Sequence, residues 1–322
     1  MELLTYLSSL SIPNLFSRMP AAAAQGIIWG IMALGVYITF RLLNVSDLTV
    51  DGSFATGGAV TVMLLLQGLP AWAALLLAVA VGILTGLCTG LLHTKFGIPA
   101  ILAGILTQFA LYSINLRIMG KANQTASIKN FGMFWETNGK GFLMSSLYVP
   151  QALIAGLLLA AALVALLYWY FGTEQGSAIR STGANPAMSR AQGINIDAMK
   201  VLGLSLSNGM VALSGGLMAQ YQGFADINMG RGAIVIGLAA VIIGEVLCDA
   251  FFRKGCNFSV RLGFVVLGGI VYYLVMVLIL WLKLDPNDLK LFTAVIVAAF
   301  LAVPYLKGQA KSSFHRLKKG GK

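Results

Sequence analysis

Apolar residues fall in long blocks separated by short polar interruptions, without the alternation of half-buried strands or the single stripe of a soluble helix. Uncharged runs occupy Ala21–Phe40, Leu69–Leu92, Gly97–Asn115, Tyr148–Phe171, Val201–Gln222, Leu262–Leu282 and Leu291–Leu306. Gly52–Gln67 and Gly232–Leu247 are shorter. A membrane helix needs about 20 apolar residues. The pattern therefore predicts an all-α, polytopic transmembrane helical bundle of about nine crossings, in a range of about eight to ten. Residues 1–20 carry scattered polar groups and Pro13 and read as an amphipathic lead-in to a membrane domain at 21–306. No A-x-A-like site follows them, so a cleaved signal peptide is not expected.

The two short runs share a preamble. Asp47-Leu48-Thr49-Val50-Asp51-Gly52 leads into one, and Asp226-Ile227-Asn228-Met229-Gly230-Arg231-Gly232 into the other. This predicts an inverted repeat with two broken half-helices, at 47–67 and 226–247, of the kind that marks a transport pathway near the midplane. Two ordinary Asx-capped helix starts are the other reading of the same residues. The crossing count sets the first break near the inner side and the second near the outer side, with Asp51 and Arg231 toward opposite faces. Glycines every four residues at Gly82, Gly86 and Gly90, and at Gly26 and Gly30, predict close helix crossings.

Composition narrows the class. Residues are 58% hydrophobic and only 10% charged, against about 25% charged in soluble domains. A soluble core cannot hide that much apolar surface. Cys88, Cys248 and Cys256 give no expectation of a disulfide, and His93 and His315 lack the companions of a metal site, so no metal or cofactor is expected. With a cytoplasmic C-terminus, 14 Lys and Arg fall on the inner side and 8 on the outer, which orients the chain. The tail 307–322 holds six of these and no acid. It sets topology, or it also touches anionic membrane lipid. Nucleic acid is not an expected partner.

Candidate chemistry is sparse. Thr49, Ser53, Ser205, Asn208 and Asn228 are the polar side chains at the breaks and on the sixth span, and they are the candidate pathway lining. Glu245 is the carboxylate set well inside an apolar run. Gly203-Leu204-Ser205-Leu206-Ser207 raises an intramembrane hydrolase, but neither histidine is placed to act as its base. The inner loop 172–197 carries Asn185-Pro186, a helix start, and Gly193, a helix stop. One short helix of about two turns should stand there as a docking knob, and the outer loop spans 119–147.

Gly193-Ile194-Asn195, followed by a span with Ala212-Leu213-Ser214-Gly215-Gly216-Leu217, resembles the membrane permeases of bacterial ABC importers. Gln25-Gly26, Gly30, Ala33-Leu34-Gly35 and the Asp47–Gly52 preamble match the same family. The nearest class is the branched-chain amino acid and ribose permeases, and the preamble resembles a branch serving amino acids, including tryptophan and tyrosine. The resemblance covers about residues 20–306. It implies a permease subunit in the bacterial cytoplasmic membrane, importing a small polar solute, most simply an amino acid. It further implies an ATPase dimer, an external binding protein or lipoprotein, and a second permease subunit in a homodimer. The coupling helix would be Ala184–Gln192, with Asn185, Pro186, Ser189, Arg190, Gln192 and Gly193 as its contacts and stop. No Gly-x-x-x-x-Gly-Lys-[Ser/Thr] run is present, so ATP hydrolysis is expected on a separate chain and this one is not an enzyme. An ion-coupled secondary transporter is the alternative, since broken helices suit it equally.

Overall fold

A computed structural model describes residues 12–126, 132, 141–252 and 256–281, with isolated positions between 291 and 302. Most of the expected ninth span, the tail 307–322 and residues 127–131 and 133–140 of the outer loop lie outside the described residues. Within them stand eight helices long and apolar enough to cross a membrane. In order they are α1 (Ile12–Tyr37), α2 (Thr49–Leu66), α3 (Ala71–Thr94), α4 (Ala100–Met119) and α5 (Val149–Phe171), then α8 (Ile196–Gln222), α9 (Ala233–Phe251) and α10 (Phe258–Trp281). Two short helices, α6 (Glu174–Ala184) and α7 (Pro186–Ala191), fill the inner loop. Thus α1 starts within the expected lead-in, runs on through Pro20 and ends in a π turn, Ile38–Leu42.

The most apolar windows of α1, α2 and α8 are 83%, 78% and 83% buried, while those of α4 and α5 are 28%. The first three are the core and the others form an outer shell. Two antiparallel crossings hold it together. Gly82, Gly86 and Gly90 of α3 face the backbone of α8 at Asn208, Leu204 and Val201, and Gly26 and Gly30 of α1 face Ile270 and Val266 of α10. A Cβ at Gly26 would stand 2.6 Å from the Ile270 Cα. Lipid gives no hydrophobic drive between helices, so this backbone proximity supplies the attraction. Ser207 and Ser214 of α8 add hydrogen bonds of 2.7 Å to the carbonyls of Gly35 and Ile28 on α1. Exchanging α1 with α8 and α3 with α10 maps one crossing onto the other, as an inverted repeat requires.

Three features differ from expectation. A two-stranded antiparallel ribbon joins β1 (Asn123–Thr125) to β2 (Phe224–Asp226), with Asn123 opposite Asp226. It ties the outer loop to the second break. The inner loop holds two helices, because Thr173 caps α6 by accepting from the Gly176 N–H. Cys248 is joined to Cys256 in a disulfide, where sequence gave no reason to expect one.

Candidate functional site

Both breaks open with the same local bond. Asp47 Oδ1 accepts from the Thr49 N–H at 2.9 Å, and Asp226 Oδ1 accepts from the Asn228 N–H at 2.7 Å. A short carboxylate satisfying the backbone two residues ahead makes an Asx turn. Equivalent positions of the repeat thus use the same turn, but neither acid is a helix cap: α2 starts from Leu48 and α9 from Gly232, both without a side-chain cap of their own.

The breaks then meet. α2 begins part-way through the bundle, where Gly104 lies against Leu48 and Thr49 and Gly52 lies against Gln108. The second break descends from β2, and its Gly230 lies directly on the Asp51 carbonyl, too close for any Cβ. Gly232, at φ +82°, turns the chain into α9. The first N–H groups of a helix have no partner within it, and at membrane depth water is scarce. Asp51 supplies what is missing: its carboxylate accepts from Gly232 N–H and Ile234 N–H, both at 3.0 Å. One carboxylate thus sits in the first turn of α2 and at the start of α9, favoured by the positive ends of both dipoles. The expectation that Asp51 and Arg231 lie toward opposite faces is corrected: they line one cavity. Asp51 is absent from the expected lining, although an acid in the first turn of α2 is its visible sign in the sequence.

That cavity, of about 330 Å³, lies between α2, α4 and the second break. Asp51, Gly52 and Ala55 form one wall, Gln108, Phe109, Tyr112 and Asn115 of α4 the other, and Ile227 and Arg231 the outer end. Asn115 is buried and its Oδ1 has no hydrogen-bond partner among the described residues. Arg231 is exposed and makes no ion pair among the described residues.

The expected lining residues fall elsewhere. Thr49, Ser53 and Asn208 are fully buried on the opposite side of α2. Ser53 donates to Asn208 Oδ1 at 2.7 Å and lies 2.8 Å from Thr85 Oγ1. Asn208 Nδ2 donates to Asp47 Oδ2 at 2.7 Å. Thr49 lies 2.8 Å from Thr89, which donates to Thr107 at 2.9 Å. This network binds α2, α3, α4 and α8 through satisfied polar groups. Ser205 is buried beside Gly86, its hydroxyl unpartnered among the described residues. Asn228 is exposed in the second break. Glu245 pairs with Arg41 at the end of α1.

At the inner end, Asn185 accepts from the Met188 N–H at 3.1 Å, with Pro186 at the first position of α7. Gly193 follows at φ +82°. Ala184, Pro186, Arg190 and Gln192 are exposed, while Ser189 is buried against the body of the loop. Asn195 then caps α8 by accepting from Ala198 N–H at 3.1 Å, so α8 starts five residues earlier than the expected Val201.

Comparison with known proteins gives one family, described as the branched-chain amino acid transport system permease component, matching residues 19–304. A tyrosine transport system permease protein of Clostridioides difficile is 39% identical, over 91% of this chain and 93% of the relative. The ribose import permease protein RbsC of Escherichia coli is 28% identical over 64% of this chain and 60% of its own. A probable branched-chain amino acid transport permease protein LivH of Methanocaldococcus jannaschii is 26% identical over 58% and 60%. No solved structure matches the chain.

Proposed function

The chain belongs to the branched-chain amino acid transport system permease family, a multi-pass inner-membrane permease of an ABC importer, and from that premise we propose that it forms the pathway for an amino acid delivered by an external binding protein. The tyrosine transport relative supports an aromatic amino acid as the cargo. The observation that carries this reading is the cavity between α2, α4 and the second break. Its charged and amide groups stand on a surface that this chain leaves open at membrane depth, where acyl chains cannot solvate them. A second copy of the chain, related by twofold symmetry, covers that groove and leaves a watered path between the two. Thr49, Ser53 and Asn208 then hold the α2 wall from behind, and Asn228 stands at the outer mouth.

ATP hydrolysis is assigned to a separate ATPase dimer that seats α7, with Arg190 as its charged contact. Caps at both ends make this helix stiff, and α8 follows it with little slack. An ion-coupled mechanism gains no support from the acids. Asp47 is sealed in the polar network, Asp51 caps α9 and Glu245 pairs with Arg41.

The test uses Gln108→Cys in a Cys88→Ser background, in cells carrying the whole transporter. A bulky thiol reagent should abolish uptake of labelled tyrosine or another amino acid cargo, while leaving the unmodified background untouched. Full uptake after complete labelling would remove the cavity from the pathway. For coupling, Arg190→Glu with a Gly-Gly insertion after Ala191 should lose co-purification of the ATPase. Retention of the ATPase and of substrate-stimulated hydrolysis would show that α7 is not the contact.

A further inference from the structure

Opposite charges line the cavity without neutralising each other. Asp51 and Arg231 both face it, yet no ion pair joins them. Asp51 is held in place by two backbone N–H groups. Those bonds leave its charge in position and keep its carboxylate from swinging across to Arg231. Among the described residues the guanidinium therefore has no carboxylate partner and stands open to a ligand.

A third group is also unspent. Asn115 is 1% exposed, lines the same cavity, and has an Oδ1 that nothing in the described chain meets. A buried acceptor without a donor is costly, so its partner is water or a passing ligand. Phe109 and Tyr112 present rings on the same wall, 72% and 45% exposed. The volume of about 330 Å³ falls at the small end of the roughly 300–1,000 Å³ of ligand pockets.

From this arrangement we infer that the cavity is a recognition site for a zwitterionic α-amino acid with an aromatic side chain. Its carboxylate pairs with Arg231, its ammonium donates to Asp51 and Asn115 Oδ1, and its ring lies on Phe109 and Tyr112. A guanidinium presents paired donors that match a carboxylate. A neutral sugar would leave both charges unmet. A simple carboxylic acid would leave Asp51 and Asn115 without the donor, and a simple amine would leave Arg231 without the acceptor. The inference rests on the reading that this cavity is the pathway, and it adds a filter for cargo there.

The test is saturation-transfer NMR on the full chain in nanodiscs, with three probes at equal concentration: L-tyrosine, tyramine and 3-(4-hydroxyphenyl)propionate. L-tyrosine should bind about ten-fold better than either analogue, as the loss of one charged hydrogen bond implies. Arg231→Gln should erase the preference over tyramine, Arg231→Lys should keep part of it, and Asn115→Leu should reduce the preference over the propionate. Equal binding of the three probes, no binding of L-tyrosine, or unchanged preferences in folded Arg231→Gln and Asn115→Leu would each overturn the inference. Tyrosine uptake by cells carrying the unaltered transporter is scored separately. Its absence alongside a selective site would count against the assigned cargo, whereas uptake alongside an unselective site would sink only the filter.

Discussion

The first and second breaks begin with the same Asx turn and end in different surroundings. In the first, Asp47 is 2% exposed, with Asn208 closing on its second oxygen. In the second, Asp226 lies at the outer side, where Asn123 approaches it at 3.5 Å, and exposed Asn228 and Arg231 follow. The repeat has kept the backbone solution and divided the labour. The first break is an anchor built into the core, and the second is an outer segment held to it through Asp51. Their meeting point is Asp51, an acid with no counterpart in the preamble of the second break.

The division can be tested by removing one bond set at a time. The largest effect is expected at Asp51→Ala. It strips two acceptors from the start of α9, and lost hydrogen bonds to a charged group cost about 1.5–3 kcal/mol each. Thermal unfolding in detergent should show a marked fall in stability, with Asp51→Asn recovering part of it. If Asp51→Ala unfolds like the parent, the breaks are not joined there. Next is Asn208→Leu, which removes the amide donor from the second oxygen of the buried Asp47 carboxylate. A loss of about 2–3 kcal/mol is expected, with uptake lost only in proportion to folded protein. The smallest effect should come from Asp226→Ala, about 1 kcal/mol as for an exposed Asx cap. Here uptake should change more than stability. Equal losses in Asn208→Leu and Asp226→Ala would erase the distinction between the core anchor and the outer segment.

Most of the bundle was legible because its signals are local. Long uncharged runs gave the spans, Asn185-Pro186 and Gly193 gave α7, and the four-residue glycine spacing gave the close crossings. The Asp preambles marked the two turns, but the helices that follow, of 18 and 19 residues, are long enough to cross a membrane and are not half-helices. The meeting of the two breaks was not legible, because the Gly232 N–H donates to Asp51 across 181 positions of sequence and no local pattern encodes such a distance. The same holds for Asn208, which reads as a pathway residue until it is seen bonded to Asp47. The β1–β2 ribbon is three residues a side, too short to leave an alternating pattern. Helix α6 was missed because its Gly- and Ser-rich sequence has poor intrinsic propensity, offset by packing of Ile179 and by its Thr173 cap.

The pairing of Asp51 with the start of α9 also constrains how the protein is made. Helix α2 enters the bilayer early in synthesis, carrying Asp47 and Asp51. Asn208, which satisfies the first acid, and Gly232 and Ile234, which occupy the second, emerge only after five spans have been threaded. Until then two carboxylates wait at membrane depth without these partners, an arrangement that lipid disfavours. The nascent first half should therefore linger beside the insertion machinery, and it should be released into lipid only when the second half arrives to complete it. A chain truncated after α5 would keep every residue of the first repeat and still present as an unfinished product to membrane proteases.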